Sequence, residues 1–267
     1  MRSDTHAVYT RIVITILAVA FPFTNLNQHV AARAAAPREV RQSLTAGAPT
    51  LPVPFVENRG QVDARVRYYA RGHRFGFFLT PDAMTVALDA NASGRPLALS
   101  LRFAGANTAP RMEGVGNEGE ASYFHGSDPS AWRTRIPQYD GVVYRALWPG
   151  VDLHVRERGG VLKYEFHVQP GARASDVRVV YDGATKLSID AAGALLIRTP
   201  QGTIHDAAPV AYQVDGSTRR PVDASYALGG SGRTTVGFAI GAGYDSRREL
   251  VIDPGIQFTT FLGGSSL

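Results

Sequence analysis

The stretch VDLHVRERGGVLKYEFHV, residues 151–168, constrains its own folding more than any other part of the chain. Two glycines, Gly159 and Gly160, divide two runs of alternating apolar and polar residues, and paired glycines tolerate the positive φ angles of a tight primed turn. Centred there, the register places Val155 opposite Tyr164, Leu153 opposite Phe166 and Val151 opposite Val168. The other side pairs Arg156 with Lys163, His154 with Glu165 and Asp152 with His167. A slip of one residue would mix the two sides, so the register is strongly specified. A hairpin with one wholly apolar side must bury it against other elements.

The same rhythm runs through the chain from Val53 onward. RVRYYAR, RFGFFLT, MTVALD, LALSLRF, VVYRAL, VRVVYDG, ALLIRT, VAYQVD, DASYAL, TTVGFAI and ELVID each alternate with period two and are bounded by Gly, Pro, Asp or Asn. No segment sustains a helical apolar stripe, and 28 Gly with 16 Pro fit many turns joining short elements. Further hairpins are expected across Asp190 to Gly193 and across TPQG, Thr199 to Gly202. The fold class that follows is all-β: an antiparallel β-sandwich, or two sandwich regions in series covering residues 53–182 and 183–255.

The first 36 residues differ in kind. Arg2 and Arg11 precede the apolar run IVITILAVAFPF, and small residues up to Ala36 offer cleavage sites, the pattern of an export signal peptide. The run of 12 apolar residues is short for a span that needs about 20, so no membrane span is expected after cleavage. Residues 37–52 read as a linker. The chain has no Cys, so an exported fold here holds together by core and sheet hydrogen bonds alone. Of the net charge of +5, the leader contributes Arg2, Arg11 and Arg33 against Asp4, which leaves +3 on the mature chain. Twenty-six of the 28 basic residues are Arg, scattered through the strands as solvated faces rather than as a nucleic-acid stripe.

Candidate chemistry is sparse. GVGNEG, residues 114–119, matches a dinucleotide fingerprint, but the continuation EASYFHGSDPSAW lacks the helix that would receive a pyrophosphate, which leaves a glycine-rich loop and no expected cofactor. Asp152, His154, Glu165 and His167 form a four-cornered patch on the polar side of the long hairpin, with facing β-carbons about 5 Å apart. Two imidazoles and two carboxylates could share a metal ion, and Asp152 with Glu165 could form a glycosidase pair, so an exported metal-dependent or glycan-processing enzyme is the alternative reading. Against it stand the parallel projection of side chains from a sheet and the nearby cations Arg156 and Lys163. DARVRYYARGHRFGFF interleaves Arg and aromatic residues, and Arg65, Arg67 and Tyr69 form its candidate binding strip. Strand alternation puts Val66, Tyr68 and Ala70 inward and Arg65, Arg67 and Tyr69 outward. Trp132 and Trp148 stand beside turn residues and read as core or corner packing. There is no Cys and no G-x-S-x-G elbow to anchor a nucleophile.

FVENRGQVDARVRYYARG (Phe55 to Gly72) resembles the opening of an uncharacterised all-β domain at the N-terminus of bacterial exported proteins that carry SBBP repeats, a β-propeller type of repeat. SYFHGSDPSAWRTRIPQYDGVVYRALWPGVDLHV, LKYEFHVQPGA and APVAYQV continue the resemblance in order, and FTTFLGGSSL is similar to the first strand and turn of the repeat itself. Glu165 stands where the resembled pattern has an Asp. The resemblance covers about four fifths of the chain and carries no reaction. It implies a secreted or cell-surface, non-catalytic module, a cap or spacer before a propeller array. If such a module binds anything, extracellular glycan or protein on its exposed sheet faces is the expected class of partner, and nucleic acid is not expected for an exported chain. It also implies that residues 256–267 either add an edge strand to the preceding domain or are disordered.

Overall fold

A computed structural model describes residues 53–72, 75–88, 96–124, 127–158, 161–215, 218–229 and 234–257. The leader (1–36) and the linker (37–52) lie outside the described residues, as does the repeat-like end beyond Gln257. In chain order the strands are β1 (Phe55–Glu57), β2 (Tyr68–Arg71), β3 (Phe75–Thr80), β4 (Ala83–Leu88), β5 (Leu97–Phe103), β6 (Arg111–Tyr123), β7 (Arg133–Trp148), β8 (Val151–Arg158) and β9 (Val161–Val168). There follow β10 (Val179–Asp182), β11 (Lys186–Ile189), β12 (Leu195–Thr199), β13 (Gly202–Asp215), β14 (Thr218–Val222), β15 (Ala224–Gly229), β16 (Thr235–Ile240) and β17 (Leu250–Gln257). Two single 3-10 turns, Pro129–Ala131 and Ala174–Asp176, supply the helical content. The protein is all-β.

Every strand pairing is antiparallel, and the pairings join into one sheet nearly closed into a barrel. From β1, one direction runs through β2, β3, β4, β5, β10 and β16 to β15. The other runs through β7, β8, β9, β17 and β13, which carries β12 with β11 and also β14 on its far edge. The two ends approach each other where the Tyr226 hydroxyl of β15 donates to the Ala207 carbonyl of β13 at 3.1 Å. The expected hairpins are present: β8 and β9 pair Val155 with Tyr164 and Asp152 with His167, β11 pairs Leu187 with Ile197, and β12 turns into β13 at Thr199 and Gly202.

The apolar side of the long hairpin lines one core. Val151, Leu153, Val155, Leu162, Phe166 and Val168 have no exposed surface, and the core draws equally on β3 to β5, β7, β10, β12 and β17. Each such side chain taken out of water contributes about 1.5–3 kcal/mol. The largest rings keep their polar ends satisfied. Trp148 Nε1 donates to the Ala104 carbonyl at 3.1 Å, and the Tyr144 hydroxyl donates to the Thr80 carbonyl at 3.0 Å. Gly183 follows β10 at a φ of 100°, where a β-carbon would lie 2.7 Å from the Ala98 carbonyl oxygen, so glycine is required there twice over.

GVGNEG is a bulged strand and not the expected loop. It belongs to β6, whose register against β7 shifts between Asn117 and Gly119, and Gly116 and Gly119 take positive φ at these irregularities. Tyr69 also departs from expectation. It is 4% exposed and packs with Val56, Val66 and Ile136 in a small second cluster. The loop between β1 and β2 folds over that side of the sheet, so both sides of β2 are covered and simple alternation no longer separates inside from outside.

Candidate functional site

The polar side of β8 and β9 continues across β17 onto β13 as one outer surface. Its chemistry begins with a defect in β7. Tyr144 pairs with Leu153 and Trp148 with Val151, so Arg145, Ala146 and Leu147 all stand opposite Asp152. Ala146 takes a φ of 46°, which turns its N–H out of the ladder. The Asp152 carboxylate accepts that N–H at 2.7 Å and a guanidinium N–H of Arg145 at 2.8 Å, and Arg145 also reaches Glu113 at 3.0 Å. Asp152 is thus committed to the bulge.

The two histidines stack, with ring centroids 3.9 Å apart and planes 23° from parallel. His167 Nδ1 lies 2.8 Å from Glu249 and its Nε2 lies 3.4 Å from Glu165. Burial alone would lower the pKa of His167, but these two carboxylates outweigh it and hold the imidazole above its ordinary value. The same contact with His167 holds Glu165 below the usual carboxylate range. His154 goes the other way: burial, then the neighbouring His167 and Arg145, push it down to about 4. The two rings are thus pushed apart, His167 being the more basic of the pair. Its rings lie on the side of the sheet that also holds Val143 and Val251, which are 1% and 2% exposed although they point away from the core.

Asp152, His154, Glu165 and His167 share this surface, as the hairpin register requires, but they do not converge. Among the described residues no group of three or more His, Asp or Glu side chains is arranged to hold a metal ion. Arg65, Arg67 and Tyr69 are not brought together either. Arg65 is held by Asp63 through 2.8 and 3.0 Å contacts, Arg67 is exposed, and Tyr69 is buried. Burial, reinforced by its neighbour Tyr123, raises the Tyr69 hydroxyl well above the ordinary phenol value.

Next to the histidine stack lies a region the sequence did not single out. By the β9–β17 register, Asp253 falls opposite Glu165 and Gly255 opposite Lys163; Asp253 pairs with Val210 of β13. Burial raises the Asp253 carboxyl, Glu165 adds to this, and Lys163 and Arg219 offset it. Asp253 Oδ1 is closed off from solvent and has no hydrogen-bond donor. Arg219 lies over the Tyr212 ring at 4.4 Å from its centroid.

A second unforeseen feature is inside the barrel. Asp206, fully buried on β13, accepts from the Tyr164 hydroxyl at 2.7 Å, the Tyr181 hydroxyl at 3.4 Å and the Gly255 N–H at 2.9 Å. Burial outweighs these hydrogen bonds and raises the carboxyl to about 6. A sequence signal existed: Asp206 shares the inward parity of Ile204 in strand β13. The three donors come from separate parts of the chain and carry no local mark.

A family model described as a domain of unknown function (DUF7948) matches residues 55–255. Neither the curated proteins nor the solved structures include a match to the chain.

Proposed function

We propose, from the premise that the chain belongs to the DUF7948 family of domains of unknown function, that it is an exported, non-catalytic β module that serves as a cap or spacer and binds extracellular glycan or protein. The observation that carries this reading is the commitment of the reactive-looking side chains to the fold itself. Asp152 holds the β7 bulge, His167 is held between Glu165 and Glu249, and Asp206 is sealed among tyrosines. A catalytic carboxylate or imidazole needs a free lone pair aimed at a substrate. Export is supported by the apolar run that follows Arg2 and Arg11 near the N-terminus, and the place before a propeller by the resemblance of residues 55–267 to the start of SBBP-repeat proteins. The sandwich description belongs to the same proposal: the barrel flattens so that its two halves pack face to face, and one shared core cluster supports this.

The test is the intact mass and cell fraction of the native protein. A species above 28.7 kDa in the envelope or medium supports a cap followed by further repeats. A species lighter by the leader's mass supports an exported module standing alone. A cytoplasmic species retaining its leader would sink the export reading.

A further inference from the structure

Of the chain's 28 Lys and Arg residues only Lys163 and Lys186 carry a primary amine, which becomes a nucleophile once it gives up a proton; the guanidinium groups stay protonated. Lys186 is exposed on β11. Lys163 is half-buried on β9 and has no hydrogen-bond or ion-pair partner among the described residues. Its ammonium lies over β17, where a β-carbon on Gly255 would be 3.5 Å away. Gly255 has no side chain to lift the Lys163 stem off the sheet, and its own N–H is fixed by Asp206 at 2.9 Å.

Asp253 is the next residue of β17 on the same side. Two residues along a strand span about 7 Å, a gap that Nζ crosses when one or two torsions of the Lys163 stem turn. Asp253 Oδ1 is closed off from solvent and has no hydrogen-bond donor, so an attacking amine displaces no partner there. Burial raises the Asp253 carboxyl, Glu165 adds to this, and Lys163 and Arg219 offset it; the balance favours the acid, whose hydroxyl can leave. Glu165 faces Asp253 across the β9–β17 pair, with β-carbons about 5 Å apart. Its contact with His167 keeps it a carboxylate, able to accept and return a proton.

We propose that Lys163 and Asp253 join in an intramolecular amide that ties β9 to β17, formed by the folded protein itself with Glu165 as the proton carrier. Glu165 takes a proton from the Lys163 ammonium, and the freed Nζ lone pair attacks Asp253 Cγ to form the C–N bond. Glu165 returns that proton to the Asp253 hydroxyl as its C–O bond breaks and water leaves. It then takes a second proton from the amide nitrogen and passes it to solvent. Nothing is oxidised or reduced, and no co-reactant is consumed. The product is uncharged, which removes a carboxylate from a place that hydrates it poorly. In a chain without Cys the bond does the work of a disulfide, closing the loop from residue 163 to residue 253. It depends on neither export nor a ligand.

The test is the mass of the purified full chain in denaturant, followed by a tryptic map. The chain should be lighter by one water than its sequence requires, and trypsin should release a branched peptide joining residues 159–173 to residues 249–267. Lys163→Arg, Asp253→Ala and Glu165→Gln should each retain the water, while Glu165→Asp, which keeps a carboxylate, should still lose it. The parent's mass alone decides whether the bond exists, so a variant that fails to fold leaves the test intact. No loss of water overturns the inference, as does a loss that maps to a linear peptide, such as a succinimide at Asp182–Gly183. Linkage unimpaired in Glu165→Gln overturns it as well.

Discussion

The Asp152 carboxylate and the Ala146 backbone N–H meet at 2.7 Å across the β7–β8 ladder, and this contact closes the bulge that three residues of β7 make opposite one residue of β8. The donor is available because Ala146 sits at a φ of 46°, a region that costs an L-residue about 1–2 kcal/mol. Asp152→Ala leaves that N–H without its acceptor and Arg145 with Glu113 alone, and should cost about 1–3 kcal/mol in urea unfolding. Ala146→Gly relieves the backbone and should raise stability by up to about 1 kcal/mol. Because Asp152 is committed in this way, a chelator should leave the melting temperature unchanged; a shift of several degrees would restore the metal reading of Asp152, His154, Glu165 and His167.

Asp206 is charged at the cost of stability. Its folded value of about 6 lies above the ordinary 3.8, so the protonated acid is the form the fold prefers. The stability tied to that preference is fully present below about pH 4 and is lost as pH rises through 6. At about 1.4 kcal/mol per pH unit the penalty at neutral pH is roughly 3 kcal/mol as an upper bound. Asp206→Asn should therefore be more stable than the parent at pH 8, with the difference shrinking toward pH 4. Asp206→Ala, which strands the Tyr164 and Tyr181 hydroxyls, should be less stable at every pH. Paired urea titrations across pH 4–8 read the sign directly.

His154 gives the opposite dependence. Its folded value near 4 lies below the ordinary 6.5, so neutral His154 supports the fold above pH 6.5 and the support is lost as pH falls toward 4. For a half-buried ring, solvent screening reduces the effect to about 1–2 kcal/mol. His154→Phe keeps a flat ring against His167 and should remove this share of the acid sensitivity. His167→Phe should not, since its raised value favours the fold at low pH and that contribution is lost as pH rises through the raised value. Melting curves of the two variants from pH 7.5 to 4.5 separate the roles.

The strip of Arg65, Arg67 and Tyr69 divides into surface and core. Tyr69→Ala opens the cluster of Val56, Val66 and Ile136 and should cost about 3–5 kcal/mol. Arg65→Ala breaks an exposed pair with Asp63 and should leave the denaturation midpoint unmoved. A large loss for Arg65→Ala and none for Tyr69→Ala would reverse this assignment.

Local pattern determined a great deal about this protein. The glycine pair with two alternating arms was enough to place Val155 on Tyr164 and Asp152 on His167, because side chains repeat every two residues and a turn of known length leaves one register that buries an apolar side. The all-β class and the hairpins at Asp190 and Thr199 follow from the same periodicity. Tertiary structure decided the rest. Period two says which side of a strand a residue occupies but not whether that side is covered: the loop laid over β2 buried Tyr69, and the bulge in β7 turned Asp152 from a ligand candidate into a backbone clasp. Asp253 met Glu165, and Asp206 met Tyr164 and Tyr181, only when strands far apart in the chain became neighbours. Such pairings depend on the closure of the whole sheet, which no short stretch of sequence encodes.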